Sequence, residues 1–368
     1  MKRYNYIIIL SLVALCFGCS DTMEEPREAD AIQFSVSDGW PDESPVTRSD
    51  AFTMGDHIGV FACYRTTDGT TDGTNTNFVP NYMLNQLVEF DGAAWSYSPV
   101  KYWPTDGSVD FFGYFPYDAS HKETDDGFVH ECKTGFEPLY RADAEVVAKE
   151  GVLTGTAISE GGKLQLGFLP MLNKVNFTAQ AKGDLFEHGG VYTDFHFLIK
   201  EFRIWGFFKK AKYSMTDKKW TTEGERYTRK NPLDMTAAIR KVTIEGSKEV
   251  PEYKYDPDKG FCSESALVIS KGANAKEIFD KSAHFIPLYD AVEDNEPTFE
   301  VVYVVLTKPA GENNDYKESG IVTRSGSLKE IFNGAGLIEK NININLFFGI
   351  DGVTVTRTLE DYTYKPMF

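Results

Sequence analysis

The chain has 368 residues with 42% hydrophobic and 14% aromatic content, which excludes a disordered or fibrous protein and leaves room for two domains of ordinary size. A formal net charge of −17 makes binding to nucleic acid or anionic lipid through a basic patch a poor hypothesis, because both need clustered Lys and Arg. Abundant Gly, Thr, Tyr and Phe favour strands joined by turns, so the chain reads as all-β.

Residues 1–18 read as a secretion leader: Lys2 and Arg3 are a positive start, Ile7 to Ala14 an apolar run, and Cys16-Phe17-Gly18-Cys19 the cleavage region. The apolar run is too short for a permanent bilayer span, which needs about 20 residues. Gly18 before Cys19, with Leu15 upstream, resembles the lipobox at which bacterial lipoproteins are cut and diacylated, making Cys19 the expected lipidation site. Residues 19–30 are polar and acidic and read as a flexible tether. Acidic residues just after the lipidated cysteine resemble the signal by which Bacteroidetes send lipoproteins to the outer surface.

From residue 31 the strand signals begin. Ile32, Phe34 and Val36 alternate with polar residues, followed by a turn-rich stretch to Arg48. His57 to Tyr64 and Leu84 to Phe90 are further strands, separated by the Gly, Thr, Asn and Asp loop 68–77, which lacks EF-hand spacing. Trp95 to Tyr117 is dense in aromatics, and Val109 to Tyr117 reads as a buried strand between turns. Val146 to Ala157 is extended, and Leu164 to Phe168 and Val175 to Phe177 are strands around Pro170 to Asn173.

The composition shift at Ala181 to Gly190 suggests a boundary, dividing the chain into a β-sandwich over 31–184 and another over 185–368. Strands follow at 195–208, 212–220, 238–245, 265–270, 283–288, 298–306, 321–324 and 340–356. Within the last of these, Asn341-Ile342-Asn343-Ile344-Asn345-Leu346 alternates so that one face is buried and the other wet. Lys271 to Asp280 and Ser327 to Phe332 read as short helices.

Nothing in the chain reads as a catalytic, metal or cofactor site. Cys63, Cys132 and Cys262 are widely spread and read as core thiols. The six histidines, His57, His121, His130, His188, His196 and His284, form no ligand-spaced pair, and carboxylate pairs such as Asp125-Asp126 lie in polar tracts.

The order of segments carries a resemblance. The lipoprotein leader, Thr47-Arg48, the run Phe52 to Phe61, Trp95-Ser96-Tyr97, Tyr102-Trp103-Pro104, Asp110 to Pro116 and Val175-Asn176-Phe177 resemble the Bacteroidetes fimbrillin family, the Mfa-like and FimA-like pilus subunits. The resemblance implies two transthyretin-like β-sandwich domains and a cell-surface, non-enzymatic role in a fimbrium that supports adhesion. It further implies export as an outer-membrane lipoprotein, removal of the first strand by an arginine-specific protease, and filling of the vacated groove by a strand from another pilus subunit. Carried onto this sequence, Arg48 is the expected cleavage position and Ile32 to Val36 the removable strand. The donor strand is expected among Ile342 to Phe348 and Val353 to Thr356; pairing of these within their own domain would indicate a tip or accessory subunit. A surface glycan-binding lipoprotein is the second reading, with the aromatics stacking on sugar rings.

Overall fold

The computed structural model describes residues 31–38, 52–66, 80–121, 129–158, 162–182, 192–241, 266–288, 296–310, 317–332, 340–349 and 352–361. The leader, Cys19, the tether, Arg48, the 68–77 loop, His188 and Cys262 lie outside the described residues.

The first half forms nine strands: β1 (Phe34–Asp38), β2 (His57–Arg65), β3 (Met83–Phe90), β4 (Trp95–Ser96), β5 (Gly107–Phe115), β6 (Val129–Lys133), β7 (Tyr140–Lys149), β8 (Val152–Thr154) and β9 (Leu164–Pro170). All except β6 join one sheet, ordered β1-β9-β7-β5-β2-β3-β4, with β8 beside β7. This sheet folds into two layers. β9 meets β7 only at Tyr140↔Pro170 and Arg141↔Leu169, then diverges with β1 to cover the inner face of β2, β5 and β7. Between the layers lies the first core, built from Ile32, Phe34, Ile58, Val60, Val109, Phe111, Val146, Leu164, Leu166 and Phe168.

The aromatic run lacks a clean alternation because both of its faces are covered. Val109 and Phe111 enter the first core, whereas Phe112 and Tyr114 enter a smaller cluster on the opposite face with Phe61, Cys63 and Cys132. Gly59 on β2 makes room for this arrangement: a Cβ there would lie 2.0 Å from the Tyr114 ring. Asp110, the charge within the strand, is met by Arg65 of β2 at 2.6 Å.

The chain leaves the first sheet at Met171–Leu172 and continues as β10 (Asn173–Ala181), β11 (Tyr192–Trp205), β12 (Lys210–Ser214), β13 (Lys219–Thr221), β14 (Leu233–Asp234), β15 (Leu267–Ser270), β16 (Lys276–Glu277), β17 (Ala283–Phe285), β18 (Thr298–Pro309), β19 (Lys317–Ser327), α1 (Lys329–Phe332), β20 (Lys340–Phe348) and β21 (Val353–Asp361). Two sheets result, ordered β16-β10-β20-β21 with β17 beside β10, and β14-β11-β18-β19 with β15 beside β11. They enclose the second core, whose largest side chains include Phe177, Phe197, Phe202, Phe207, Phe285, Phe299 and Phe348.

The short helix at the end of the 327–332 stretch forms as α1, but 271–280 is not helical. Gly272, at φ 64°, breaks the run, Lys276 and Glu277 form β16 against β10, and Ile278 and Phe279 insert into the second core. Residues 236–238 are a 3-10 turn rather than the start of a strand.

A three-stranded sheet ties the two halves together: β6 of the first half pairs with β12 of the second, and β13 flanks β12. Beneath it, His121 and His130 stack at 4.2 Å with planes 6° apart, and Tyr114 lies 4.4 Å from the His130 ring. Met215 Sδ approaches His130 Nε2 at 3.0 Å. Burial, with the neighbouring His121 adding to it, holds the His130 pKa down to about 3.

Candidate functional site

The element that the sequence marked as removable occupies a groove in the first core. β1 runs parallel to β9 in the register Phe34↔Leu164 to Asp38↔Phe168. Because side chains alternate along a strand, Ile32, Phe34 and Val36 share its inward face. Ile32 is 1% exposed and Phe34 5%, while Val36 is half-buried. Gln33, pointing the other way, is exposed, and its carbonyl accepts the Leu164 N–H at 2.8 Å.

The other flank of this segment is a strap of irregular chain, residues 97–103. The Ile32 N–H donates to the Lys101 carbonyl at 2.8 Å, and Ala31 forms a bridge with Tyr102. Tyr97 Oη donates to the Ile32 carbonyl at 2.9 Å, and its ring meets Phe34 edge-on at 5.3 Å. Tyr82 Oη bonds the Tyr102 carbonyl on the outer side of the strap. Trp103 closes the groove from below, 4% exposed and edge-on to Phe111 at 5.7 Å.

The expected donor strands have a different setting. β20 lies between β10, to which it pairs in parallel from Lys174↔Asn341 to Ala181↔Phe348, and β21, its antiparallel partner over its whole length. Ile342, Ile344, Leu346 and Phe348 are buried, as the alternation implied. On the opposite face the side chains are cross-linked. Asn176 Nδ2 donates to Asn343 Oδ1 at 2.9 Å and to Asn341 Oδ1 at 3.1 Å, and Thr178 Oγ1 donates to Asn345 Oδ1 at 2.6 Å. Ser282 Oγ donates to Asn176 Oδ1 at 2.6 Å. β21 forms the outer edge of this sheet, with Thr354, Thr356 and Thr358 exposed.

The profile of the fimbrillin-like family matches residues 46–257, more than half of the chain. The chain belongs to the fimbrillin-like family. Over 188 residues, 46% of its length, this fimbrillin-like chain is 30% identical to Fim1C of Bacteroides ovatus, a protein named for a proposed role as a fimbrium tip subunit. It is 32% identical over 63 residues, 17% of its length, to the fimbrium subunit Fim1C of Phocaeicola vulgatus. It spans 33% of the first relative and 16% of the second. Its fold resembles the crystal structure of a fimbrial protein from Bacteroides vulgatus, with a TM-score of 0.63 at 16% identity over 90% of this chain and 99% of that one.

Several other sequence-marked side chains lie in packing positions, whereas His57 is partly exposed, 3.8 Å from Glu89. Cys63 and Cys132 are buried thiols in the smaller cluster with Phe112 and Tyr114. His196 hydrogen-bonds Ser270 Oγ at 3.0 Å and His284 is buried beside β10. Among the described residues no three His, Cys, Asp or Glu side chains come together at metal-binding distance. Tyr97 and the strap entered the sequence reading only within the motifs Trp95-Ser96-Tyr97 and Tyr102-Trp103-Pro104, with no role assigned to either.

Proposed function

We propose that this fimbrillin-like chain is a subunit of a cell-surface pilus, non-enzymatic, exported as a lipoprotein on Cys19 and assembled by strand exchange. Cleavage at Arg48 frees β1, and a strand from another pilus subunit takes its place in the first core, running along β9 and filling the positions of Ile32, Phe34 and Val36. The observation that carries this reading is the setting of β1. It contributes buried side chains to the core, yet among the described residues its strand ladder is to β9 alone; the strap pairs with the adjacent Ala31 and Ile32 and touches β1 itself through the Tyr97 ring on Phe34. Such an element can leave without unravelling β2, β5 or β7.

The intramolecular pairing of β20 on both sides supports a terminal or accessory place in the fibre, where a subunit accepts a strand and does not donate one. Its two-sandwich organisation, outer-membrane address and adhesive role form part of the same reading. Sugar stacking by the central aromatics finds no support, since Trp103 and Phe111 are enclosed in the first core.

An arginine-specific protease acting on the folded chain is expected to make one defined cut at Arg48 that Arg48→Ala abolishes. Failure to cut there, or the same fragment from the variant, would count against strand release. Self-assembly of the cut chain into SDS-resistant polymers would count against the terminal place. In cells, Cys19→Ala is expected to shift the precursor out of the membrane fraction; unchanged fractionation would sink the lipidation claim.

A further inference from the structure

Tyr97 touches the strand in the groove in two chemically distinct ways. Its hydroxyl donates to the Ile32 carbonyl at 2.9 Å and accepts from the Lys101 N–H at 3.2 Å, so a single group couples the strand's backbone to the strap. Its ring sits edge-on to Phe34 two residues later, 5.3 Å between centroids and 75° between planes. The ladder to β9 consists of main-chain bonds that any extended sequence can make. It therefore fixes direction and gives no preference among sequences. The ring contact depends on which side chain occupies the Phe34 position, and the hydroxyl contact depends on a carbonyl two residues before it. Tyr97 is half-buried and belongs to the irregular strap rather than to a strand, so its position is set by the strap and not by sheet pairing.

We propose that Tyr97 is the residue that latches and selects the strand seated in this groove. The partner segment is an extended one that runs parallel to β9, with a bulky aliphatic residue, an aromatic residue two positions on, and a β-branched residue two positions beyond that. This deepens the strand-exchange reading and rests on it for the identity of the partner; the latch itself is a property of the intact chain.

Hydrogen exchange on the full chain tests it. Tyr97→Phe removes the hydroxyl and keeps the ring, and is expected to raise exchange in the peptide covering residues 31–38 by about 3–10-fold, the effect of one net hydrogen bond. Phe34→Leu keeps apolar volume and removes the ring pair, and is expected to act in the same direction by about 3–10-fold. Tyr64→Phe serves as the control, because the Tyr64 hydroxyl bonds the Asp106 carbonyl instead of β1. Unchanged exchange over 31–38 in Tyr97→Phe would overturn the proposal. So would a rise shared equally by β11 in the second core, since that would make Tyr97 a general packing residue. Neither outcome bears on cleavage at Arg48, so the latch and the strand-release reading fail separately.

Discussion

Phe34→Asp is expected to destabilise the first core by about 4 kcal/mol or more, the combined effect of lost apolar burial and an unpaired carboxylate in an enclosed site. Phe34 is enclosed by the two layers of the first sheet and by Tyr97. The adjacent Gln33 points outward and is exposed, so Gln33→Asp adds the same charge and is expected to change stability by less than about 0.5 kcal/mol. Urea unfolding followed by tryptophan fluorescence reads the difference, since Trp103 lies in this core and Trp95 packs against it. Equal midpoints for the two variants would show that β1 is an appendage and not part of the core, which would remove the physical basis for a groove.

The second large effect is with pH. An unfolded histidine titrates near 6.5, whereas His130 is held down to about 3 by burial and by His121. Burial also lowers His121, whose Nε2 has no hydrogen-bond partner among the described residues, while Asp118 opposes both shifts. Below pH 6.5 the unfolded chain therefore takes up protons that the folded chain refuses, and stability falls as pH falls. His130 alone is expected to remove about 2 kcal/mol between pH 7.5 and 5.0, and His121 acts in the same direction. His130→Phe keeps a ring against Tyr114 and should flatten this dependence. Urea midpoints at the two pH values provide the measurement, and an equal decline in wild type and variant would refute the assignment. Because these rings lie beneath the sheet that joins β6 to β12, acid should loosen the junction between the halves before it reaches either main core.

Strand positions were legible in the sequence where alternation or a two-sided apolar run left little choice. The isoleucines of β20 and the aromatics of β5 are examples: the isoleucines are buried as expected, while the asparagine face is partly covered, with Asn341 buried, and both faces of β5 are covered. Partners were not legible. Nothing in Ile32 to Val36 indicates that it pairs in parallel with residues more than a hundred positions away, because a strand's edge is main chain and carries no sequence mark. The stretch 271–280 was misread because Ala, Lys and Glu suit a helix in isolation. Ile278 and Phe279 have greater apolar surface to bury, and the second core overrides the local preference. The groove itself was legible only through resemblance, and Tyr97 only as part of a motif without a role, since its importance comes from a strap whose path no periodicity describes.

The parallel alignment of β1 with β9 also sets how the groove meets force. Tension applied along a strand seated as β1 is acts along the ladder, so the bonds from Phe34↔Leu164 to Asp38↔Phe168 are sheared together instead of being unzipped one after another. Evenly spaced, slanted bonds share such a load, and the apolar side chains between them must slide past Leu164, Leu166 and Phe168 at the same moment. Peeling the strand sideways past the strap engages those bonds in sequence. A strand seated this way holds against a pull along its own axis and yields to a lateral one.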